Sequence, residues 1–337
     1  MAVITARLRR PESEEDKLES RPVSRSPLSD SSGQPRVAFQ GEPGAFSEAA
    51  AIELLGESIR TVPRPTFDSA FRAIPEGAAD ALLAPVENSL AGSVVRVFDL
   101  LLESNLEIVG ETILRIKHQL IGCPGATLAG LRSVASHPVA LAQCERFFSS
   151  HPELKRVPAE DTAGSVREVL ARGERSAAAI AGRRAAEHYG GAILAENIHD
   201  NPENFTRFVL LIPAPPPNSA GAWSPAVTDL MVQLRVGQMS DDAPPNTLKM
   251  SLALRLAHRP GALLAALEPF ARHGVNLLKI ESRPIHGRPW EYQFFLDIES
   301  SDASKLEAAV AEVRSATSEL RALGLYAPAR AGSVASS

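Results

Sequence analysis

The sequence predicts an α/β fold in which a two-lobed unit is followed by a small βαββαβ domain. Between Val37 and Ile212, short apolar runs alternate with stretches of helical periodicity. Residues 213–226 are then rich in Pro, Gly and Ser, and beyond Met250 apolar and polar residues alternate. These three patterns are typical of a sheet with crossover helices, of a linker, and of a half-buried strand, respectively.

The first region contains five apolar runs that are each followed by a helical stretch. Because each helix serves as a crossover, the strands are expected to run mostly parallel. About 175 residues is generous for one sheet, so we expect two lobes that share a cleft. Lobe 1 is expected at about 36–112 and 204–213, and lobe 2 at about 113–203. The pairs are VAFQ with AFSEAAAIELLG, ALLAPV with SVVRVFDLLLES, SVASH with PVALAQCERFFSS, KRVPA with TAGSVREVLARG, and SAAAIA with RRAAEHYG.

Residues 247–327 show a different periodicity. Alternating apolar residues from Met250 to Leu256 predict a strand, and RPGALLAALEPFARHG predicts a helix that begins at Pro and Gly. Two strands follow in VNLLKIESRPI and EYQFFLDIE, then a helix in DASKLEAAVAEVRSATSELRALG, and LYA is expected as an edge strand. This order predicts an antiparallel sheet with both helices on one face.

The remaining segments are expected to connect or flank these units. Residues 1–35 carry mixed charge with Ser and Pro, so they are expected to be a disordered tail, and 328–337 a second tail. Residues 214–246 are expected to be a linker, within which TDLMVQLRV resembles a short strand of unassigned role.

Composition excludes several classes of function. The net charge of −5 and the scattered Lys and Arg residues argue against nucleic-acid binding, and 5% aromatic residues offer few stacking platforms. No apolar stretch has membrane-spanning length, and the first residues lack the features of a signal or transit peptide. Cys123 and Cys144 belong to no CxxC pair, so we expect free thiols in a reducing cytoplasm. No metal-ligand spacing and no phosphate-binding glycine motif is present, so no metal and no cofactor is expected.

The segment NPENFTRFVLLIP, residues 201–213, contains the first candidate site. Thr206 and Arg207 stand at the start of an unbroken apolar run that predicts a buried strand. This is either ordinary polarity at a strand end or the mouth of a ligand site. Arg207 could hold a carboxylate through two hydrogen bonds.

Several predicted helices begin with polar residues that could complete such a site. Free backbone N–H groups at a helix start bind anions, although Ser, Asn, Asp and Thr there are more often simple helix caps. Only convergence on one cleft would favour an anion site. The residues concerned are Ser47, Glu87, Asn88, Ser89, Ser93, Ser136, His137, Glu160, Asp161 and Thr162.

In combination, these segments resemble the prephenate dehydratases with a C-terminal ACT regulatory domain. The motifs that carry the resemblance, from about residue 36 to 326, are VAFQGEPGAFSEAAA, APVENSLAGSVVRVFDLLL, SHPVALAQCE, DTAGS, AAAIAGRRAAEHYG, NFTRFVLL, PGALLAALEPF and NLLKIESRP. The resemblance implies a catalytic unit like the type II periplasmic binding proteins and a monofunctional enzyme. That enzyme would convert prephenate to phenylpyruvate, water and carbon dioxide without metal or cofactor. Arogenate is the alternative substrate, and a non-catalytic sensor of aromatic acids or amino acids is the alternative class.

The resemblance also implies roles for individual residues. Thr206 matches the catalytic threonine that assists the leaving hydroxyl, and the other catalytic positions match Glu87, Asn88, Ser136, Gln143 and Glu160. Positions expected at the substrate are Arg207, Ser89, Ser47, His137, Thr162 and Phe208. Val139 and His199 depart from the residues usual in the family.

The C-terminal motifs imply a regulatory site for L-phenylalanine between two chains. The residues expected there are Gly261, Ala262, Leu263, Asn276, Glu281 and Ser282. Self-association as a dimer or tetramer follows from a site of this kind.

Overall fold

A computed structural model describes residues 33–215, 224–238, 247–285, 287–288 and 290–329. Residues 1–32 and 330–337 of the expected tails, and residues 216–223 and 239–246 of the expected linker, lie outside these ranges. The strands are β1 Arg36–Gln40, β2 Arg60–Arg64, β3 Ala81–Asn88, β4 Gly92–Ser93, β5 Leu106–Arg115, β6 Gln119–Gly122, β7 Ser133–Ser136, β8 Lys155–Pro158, β9 Ala177–Ala181, β10 Ala192–Ala195, β11 Phe205–Pro213, β12 Leu248–Arg255, β13 Asn276–Pro284, β14 Tyr292–Ser300 and β15 Glu319–Tyr326. The α-helices are α1 Phe46–Leu55, α2 Phe67–Arg72, α3 Val95–Glu103, α4 Pro138–Ala142, α5 Glu145–Ser150, α6 Thr162–Arg172, α7 Arg183–Tyr189, α8 Pro225–Gln238, α9 Ala262–Arg272 and α10 Ala303–Ala316.

The two lobes have the same strand order. Lobe 1 is ordered β2-β1-β3-β11-β5, and lobe 2 is ordered β8-β7-β9-β6-β10. In each of these five-strand orders the strand antiparallel to its neighbours, β11 or β6, is the strand that enters from the other lobe, and the short β4 is also antiparallel to β3. This is the order of the type II periplasmic-binding-protein fold, so the predicted fold class is confirmed. Because β5 leads directly to β6 and β10 leads to β11, the carboxyl ends of the parallel strands of both lobes face one cleft, where ligands bind in such sheets.

The C-terminal domain is the predicted βαββαβ unit, with its sheet ordered β13-β14-β12-β15. Helices α9 and α10 cover one face, and the other face packs on lobe 1, where Phe98 and Phe295 have ring centroids 4.8 Å apart. Strand β15 also pairs with β5 through Gly324 and Ile108. A Cβ atom at position 324 would lie 2.1 Å from the carbonyl oxygen of Ile108, so only glycine permits this join. The two sheets are therefore continuous.

The strand-like interpretation of TDLMVQLRV is wrong. These residues belong to α8, in which Val227, Leu230 and Leu234 are buried against lobe 1. Their spacing of three and four residues presents one helical face, whereas a half-buried strand needs alternation.

The predicted C-terminal helix is too long, because its last residues belong to the strand that follows. Helix α10 ends at Ala316, Thr317 is extended, and residues 319–326 form β15. Strand β15 lies between β12 and β5 and is not an edge strand. Tyr326, part of the expected edge strand LYA, is fully buried there.

Strand β11 separates two hydrophobic cores. Phe208, Leu210 and Ile212 face the core formed with α1 and α8, while Val209 and Leu211 face the core formed with α2, α3 and the C-terminal domain. Side chains alternate along a strand. Thr206 therefore shares a face with Phe208, and Arg207 lies on the opposite face.

Candidate active site

Thr206 lies opposite Asn88, the last residue of β3, in the strand pairing. Asn88 Nδ2 donates to Thr206 Oγ1 at 2.9 Å. The side-chain oxygen of Asn88, Oδ1, accepts from the backbone N–H groups of Leu90 and Ala91 at 3.0 and 2.8 Å, which fixes the side-chain amide with its nitrogen toward Thr206. A hydroxyl that accepts in this way keeps its own proton for another acceptor.

Asn204 and Gln143 extend this hydrogen-bond chain into lobe 2. Asn88 Nδ2 lies 2.8 Å from Asn204 Oδ1, and Asn204 Nδ2 donates to Gln143 Oε1 at 3.0 Å. His118 Nε2 lies 2.8 Å from the same Gln143 oxygen. Burial lowers the pKa of His118 to about 4, although its hydrogen bond to Gln143 acts in the opposite direction, so the ring is neutral at pH 7. A line of polar side chains thus joins Thr206 to both lobes.

Sequence reasoning missed Asn204 and His118. Asn204, which is fully buried, stands two positions before Thr206, so period-two alternation could have placed it on the same face. His118 lies in the segment that crosses between the lobes, and nothing in its immediate sequence indicates a partner in lobe 2.

Ser89 holds the returning chain against β3. Its hydroxyl donates to the carbonyl oxygen of Glu203 at 2.8 Å and accepts from Phe205 N–H at 2.9 Å. The backbone N–H of Ser89 donates to the carbonyl oxygen of Phe205 at 2.8 Å. These contacts position the start of β11, and with it Thr206.

The prediction that Arg207 faces an anionic substrate is wrong in this structure. Its guanidinium lies on the face of β11 opposite Thr206, 2.6 Å from Asp297 and 3.1 Å from Glu111. The side chain is only 14% exposed. Burial alone lowers the pKa of Arg207, but nearby negative charge, that of Asp297 foremost, outweighs burial and raises it.

Glu87 is on the same face as Arg207, and the prediction that it lies in the cleft with Asn88 is also wrong. Its carboxylate accepts from Lys279 Nζ of the C-terminal domain at 2.8 Å. The pairing between β3 and β11 shifts between Arg207 and Phe208, so that Val86 is the extra residue of a β-bulge. A bulge re-aims the residues that follow it.

Two of the predicted residues in lobe 2 have structural partners. Ser136 is fully buried and its hydroxyl donates to the carbonyl oxygen of Ile180 at 2.6 Å, which ties β7 to β9. This geometry does not agree with the predicted catalytic role. His137 Nδ1 accepts from Val139 N–H at 3.2 Å, so His137 caps α4.

The start of α6 is capped by Asp161, which accepts from Gly164 N–H at 2.6 Å. The sequence left helix capping and an anion site as alternatives at this helix start, and Asp161 is a helix cap in the structure. Glu160 is exposed and Thr162 partly buried. Ser47 is buried in the first turn of α1, and Phe208 is 2% exposed in the core behind Thr206.

A cavity of about 420 Å³ lies between the lobes, with Leu114, the strand partner of Thr206, in its wall. Four cationic side chains and one carboxylate line it. Arg183 pairs with Glu196 at 2.8 Å, Arg184 pairs with Glu48 at 3.2 Å, and Arg115 Nε donates to the carbonyl oxygen of Pro202 at 2.9 Å. The lining residues are Gly44, Ala45, Phe46, Ala49, Leu114, Arg115, Lys117, Gln119, Gly182, Arg183, Arg184, Glu196 and Asn197.

Arg115 and Lys117 are lining cations with no carboxylate within ion-pair distance among the residues that the structure describes, and Arg115 donates to a backbone carbonyl oxygen instead. The positive charges of Arg115 and Lys117 also act on the His199 ring. Burial, followed by the charges of Arg115 and Lys117, lowers the pKa of that ring. The cavity is therefore suited to an anion.

Within the described ranges, no group of three or more His, Cys, Asp or Glu side chains is arranged to hold a metal ion. The same ranges contain no helix that is both long enough and apolar enough to span a membrane.

A model of the prephenate dehydratase family matches residues 37–215, which is more than half of the chain. The chain belongs to the prephenate dehydratase family. An ACT domain model matches residues 250–316, which identifies the C-terminal domain. The predicted family, the predicted lyase function in phenylalanine biosynthesis and the ACT domain are thereby confirmed.

Three known proteins illustrate what the chain is similar to. Arogenate dehydratase/prephenate dehydratase 2 of Arabidopsis thaliana, a chloroplastic protein, is 36% identical over 326 residues, which cover 93% of this chain and 79% of that protein. The solved structure of a prephenate dehydratase from Arthrobacter aurescens in complex with L-Phe is 30% identical, covers 88% of this chain and 91% of that one, and has a TM-score of 0.72. The solved structure of GqqA, described as a novel type of quorum quenching acylase, is 33% identical. The match covers 88% of this chain and 99% of that one, with a TM-score of 0.73.

The predicted regulatory residues of this dehydratase lie on different faces of the ACT domain. Gly261, with φ of 78°, begins α9 and is followed by buried Ala262 and half-buried Leu263. Asn276 Nδ2 donates to Glu299 at 3.0 Å, and Ser282 is exposed.

Glu281 differs from the expectation. Its carboxylate accepts from the hydroxyl of Ser93 in lobe 1 and pairs with Lys279 at 3.3 Å. Because Ser282 and Glu281 are neighbours on β13, they point to opposite faces. Glu281 therefore contacts the catalytic unit and is not on the open face with Ser282.

Proposed function

We propose that this chain dehydrates and decarboxylates prephenate, with Thr206 assisting the departure of the hydroxyl group. The observation that carries the proposal is the oriented hydrogen bond from Asn88 to Thr206. It leaves the Thr206 proton available and polarises the O–H bond. Loss of carbon dioxide returns the bonding electrons to the ring as the C–O bond breaks, and the departing oxygen leaves as water after taking up one proton. Thr206 donates the hydrogen bond that stabilises charge on that oxygen.

Gln143 and Asn204 support this role because they hold the Asn88–Thr206 pair. Asn204 bridges Asn88 and Gln143, so both lobes must be in place for the chain of hydrogen bonds to be complete. Pre-positioned donors in a site that excludes water are the main source of catalysis when the driving force, here aromatisation, resides in the substrate.

We further propose that prephenate is preferred over arogenate because of the cations in the cavity between the lobes. Prephenate and arogenate each carry two carboxylates, but arogenate also has an ammonium group where prephenate has the side-chain keto group. Lys117 attracts a carboxylate and repels an ammonium group. At ~6 Å and an effective dielectric constant of about 20, each such interaction is worth about 3 kcal/mol before further screening by solvent.

The purified protein should be incubated separately with prephenate and arogenate, and the formation of phenylpyruvate and L-phenylalanine followed. We expect a higher kcat/KM with prephenate. Lys117→Met should lower kcat/KM for prephenate about tenfold, which corresponds to about 1.4 kcal/mol, and change that for arogenate less. Lys155→Met, at an exposed lysine of β8, is the matched control. If the wild-type enzyme prefers arogenate, the assignment of prephenate as the substrate is refuted. If it acts on neither prephenate nor arogenate, the proposed dehydratase activity is refuted.

L-phenylalanine is the proposed allosteric ligand, bound at the ACT domain between two chains near Gly261 and Ser282. Among the strands described, β13 pairs only with β14, so its outer edge is open. Leu278 and Ile280 on this strand are 45% and 44% exposed. An open edge with exposed apolar side chains favours pairing with a second copy of the chain, giving a dimer or a tetramer.

Light scattering coupled to size exclusion tests the assembly. We expect the wild type to elute as a dimer or larger and Ile280→Lys to shift toward the monomer, with loss of inhibition by L-phenylalanine. If the wild type is monomeric at all concentrations, the proposed L-phenylalanine site between two chains is refuted.

The proposed location is the cytoplasm. Cys123 and Cys144 are both buried and free, and burial raises the pKa of Cys144 to about 12. Unreactive free thiols fit a reducing compartment. Fractionation of the source cells tests the location, because activity in any other fraction would contradict it.

A further inference from the structure

On β11 and on β3, two neighbouring residues face different parts of the molecule. Thr206 and Asn88 face the hydrogen-bond chain of the active site, while Arg207 and Glu87 face the ACT domain. Thr206 is paired with Asn88, and Arg207 with Glu87, in consecutive steps of the same strand ladder. A displacement of the second pair therefore moves the first, since the residues are joined by one peptide bond on each strand.

Arg207 is held by a buried cluster of charges that spans both domains. Asp297 of β14 lies 2.6 Å from its guanidinium, and Glu111 of β5 lies 3.1 Å away. Lys249 of β12 pairs with Glu111 at 2.9 Å. Side-chain exposures of 6% for Asp297, 2% for Glu111 and 7% for Lys249 show that these three are buried, and Arg207 is 14% exposed. Each domain contributes one cation and one carboxylate, and the ion pairs of Arg207 with Asp297 and of Lys249 with Glu111 join the two domains.

Asp297 is fixed from its other side as well. Ser251 of β12 donates to its second oxygen at 2.5 Å, and Tyr326 lies 2.7 Å from the Ser251 hydroxyl. Burial raises the pKa of Asp297, but Arg207 and Lys249 outweigh burial and lower it, so the carboxylate stays charged. Arg207 is thus attached to the core of the ACT sheet.

Glu87 is held by the strand that carries the proposed regulatory site. Lys279 Nζ of β13 lies 2.8 Å from Glu87 and 2.9 Å from the hydroxyl of Ser93. Ser93 also donates to Glu281 of β13. The side chain of Lys279 is 12% exposed, so solvent screens the ion pair only in part. One face of β13 thus contacts the active-site strand, while Ile280 and Ser282 on its other face are open to a ligand or a second chain.

We infer that Lys279 and Asp297 of the ACT domain are positioning residues for the dehydration step. They act through Glu87 and Arg207, which set the placement of Asn88 and Thr206, and a ligand that displaces β13 changes turnover through the same contacts. This inference rests on the proposed function. It assigns Arg207 and Glu87 to the contact between the domains and not to the substrate.

The test compares Lys279→Met with Lys279→Arg and with Lys305→Met, a control at an exposed lysine of α10 in the same domain. For Lys279→Met we expect kcat for prephenate to fall about tenfold with KM nearly unchanged, and the midpoint of inhibition by L-phenylalanine to rise about tenfold, both within the usual range of coupling between sites. Lys279→Arg should restore both values, and Lys305→Met should change neither.

Asp297→Asn is a second test variant, for which we expect the same loss of kcat of about tenfold as for Lys279→Met. Because an uncompensated Arg207 could also unfold the protein, inhibition is measured as a midpoint, which does not depend on the fraction of folded enzyme. A normal kcat and a normal inhibition midpoint in Lys279→Met would overturn the inference, as would failure of Lys279→Arg to restore them. A wild type that turns over neither prephenate nor arogenate refutes the proposed function instead.

Discussion

Replacement of Thr206 by valine should separate activity from stability. Asn88 Nδ2 has two hydrogens and three oxygens within reach, at 2.8 Å in Asn204, 2.9 Å in Thr206 and 3.1 Å in the Phe205 carbonyl. Loss of the hydroxyl leaves two acceptors for two hydrogens, so the free energy of unfolding should fall by less than about 1 kcal/mol. Turnover should fall about 10²- to 10⁴-fold, because the donor to the leaving oxygen is gone. That is about 3–5 kcal/mol of transition-state stabilisation.

The assay is the initial rate of phenylpyruvate formation from prephenate, together with urea unfolding of the same preparations. Thr206→Ser keeps a hydroxyl and should retain most of the activity, which makes it the matched control. Turnover by Thr206→Val within about threefold of the wild type would refute the assigned role. A loss of stability above about 3 kcal/mol would refute the reasoning about the Asn88 amide.

Four further predictions follow from other contacts. Asn204→Ala should lower both kcat and the free energy of unfolding, the latter by about 1–3 kcal/mol, since the partly buried amides of Asn88 and Gln143 lose a partner; urea unfolding and initial rates check this. Gly44→Ala should reduce kcat, because Gly44 has φ of 85° and a Cβ there would lie 2.6 Å from Ala185 Cα across the lobes; a normal rate would contradict it. Glu48 has a pKa lowered from 4.5, since hydrogen bonds, that from Gly44 N–H foremost, outweigh the raising effect of burial. Its carboxylate therefore stabilises the fold above pH 4.5 and loses this effect on further acidification, so the stability difference between wild type and Glu48→Gln should shrink in acid unfolding experiments. A chain ending at residue 240 should lose inhibition by L-phenylalanine and also unfold at lower urea, because the ACT sheet covers a face of lobe 1; unchanged stability would contradict the second part.

Much of the fold follows from local patterns in the sequence. Five strand–helix pairs of the two lobes, and the element order of the ACT domain, were predicted because each apolar run and each crossover helix buries its own face. Strands β2, β5, β6 and β10 and helix α2 were not among these pairs. The positions of Thr206 and Arg207 on opposite faces were also within reach, since Phe208, Leu210 and Ile212 define one face of β11 and period-two alternation extends it to Thr206. The error at Arg207 came from treating two neighbouring polar residues as one site.

The orientation of Glu87 could not be obtained in the same way. Alternation from Leu83, which faces the α1 core, would place Glu87 on the Thr206 face, but the bulge at Val86 reverses it. A bulge of this kind depends on the register of two strands that are distant in sequence, and no residue type requires it.

The buried charges show a second limit of sequence reasoning. Glu111 and Arg207 lie in strands that otherwise read as apolar, and a buried ion is tolerated only with a partner of opposite charge. Glu111 pairs with Lys249 and Arg207 pairs with Asp297, both of which come from the ACT domain. Within the catalytic unit Arg207 and Glu111 also lie 3.1 Å from each other, and the ACT domain gives each of them a second partner. The catalytic segment does not reveal these partners from the ACT domain, which is why a substrate-binding role for Arg207 looked reasonable from that segment and fails in the whole chain.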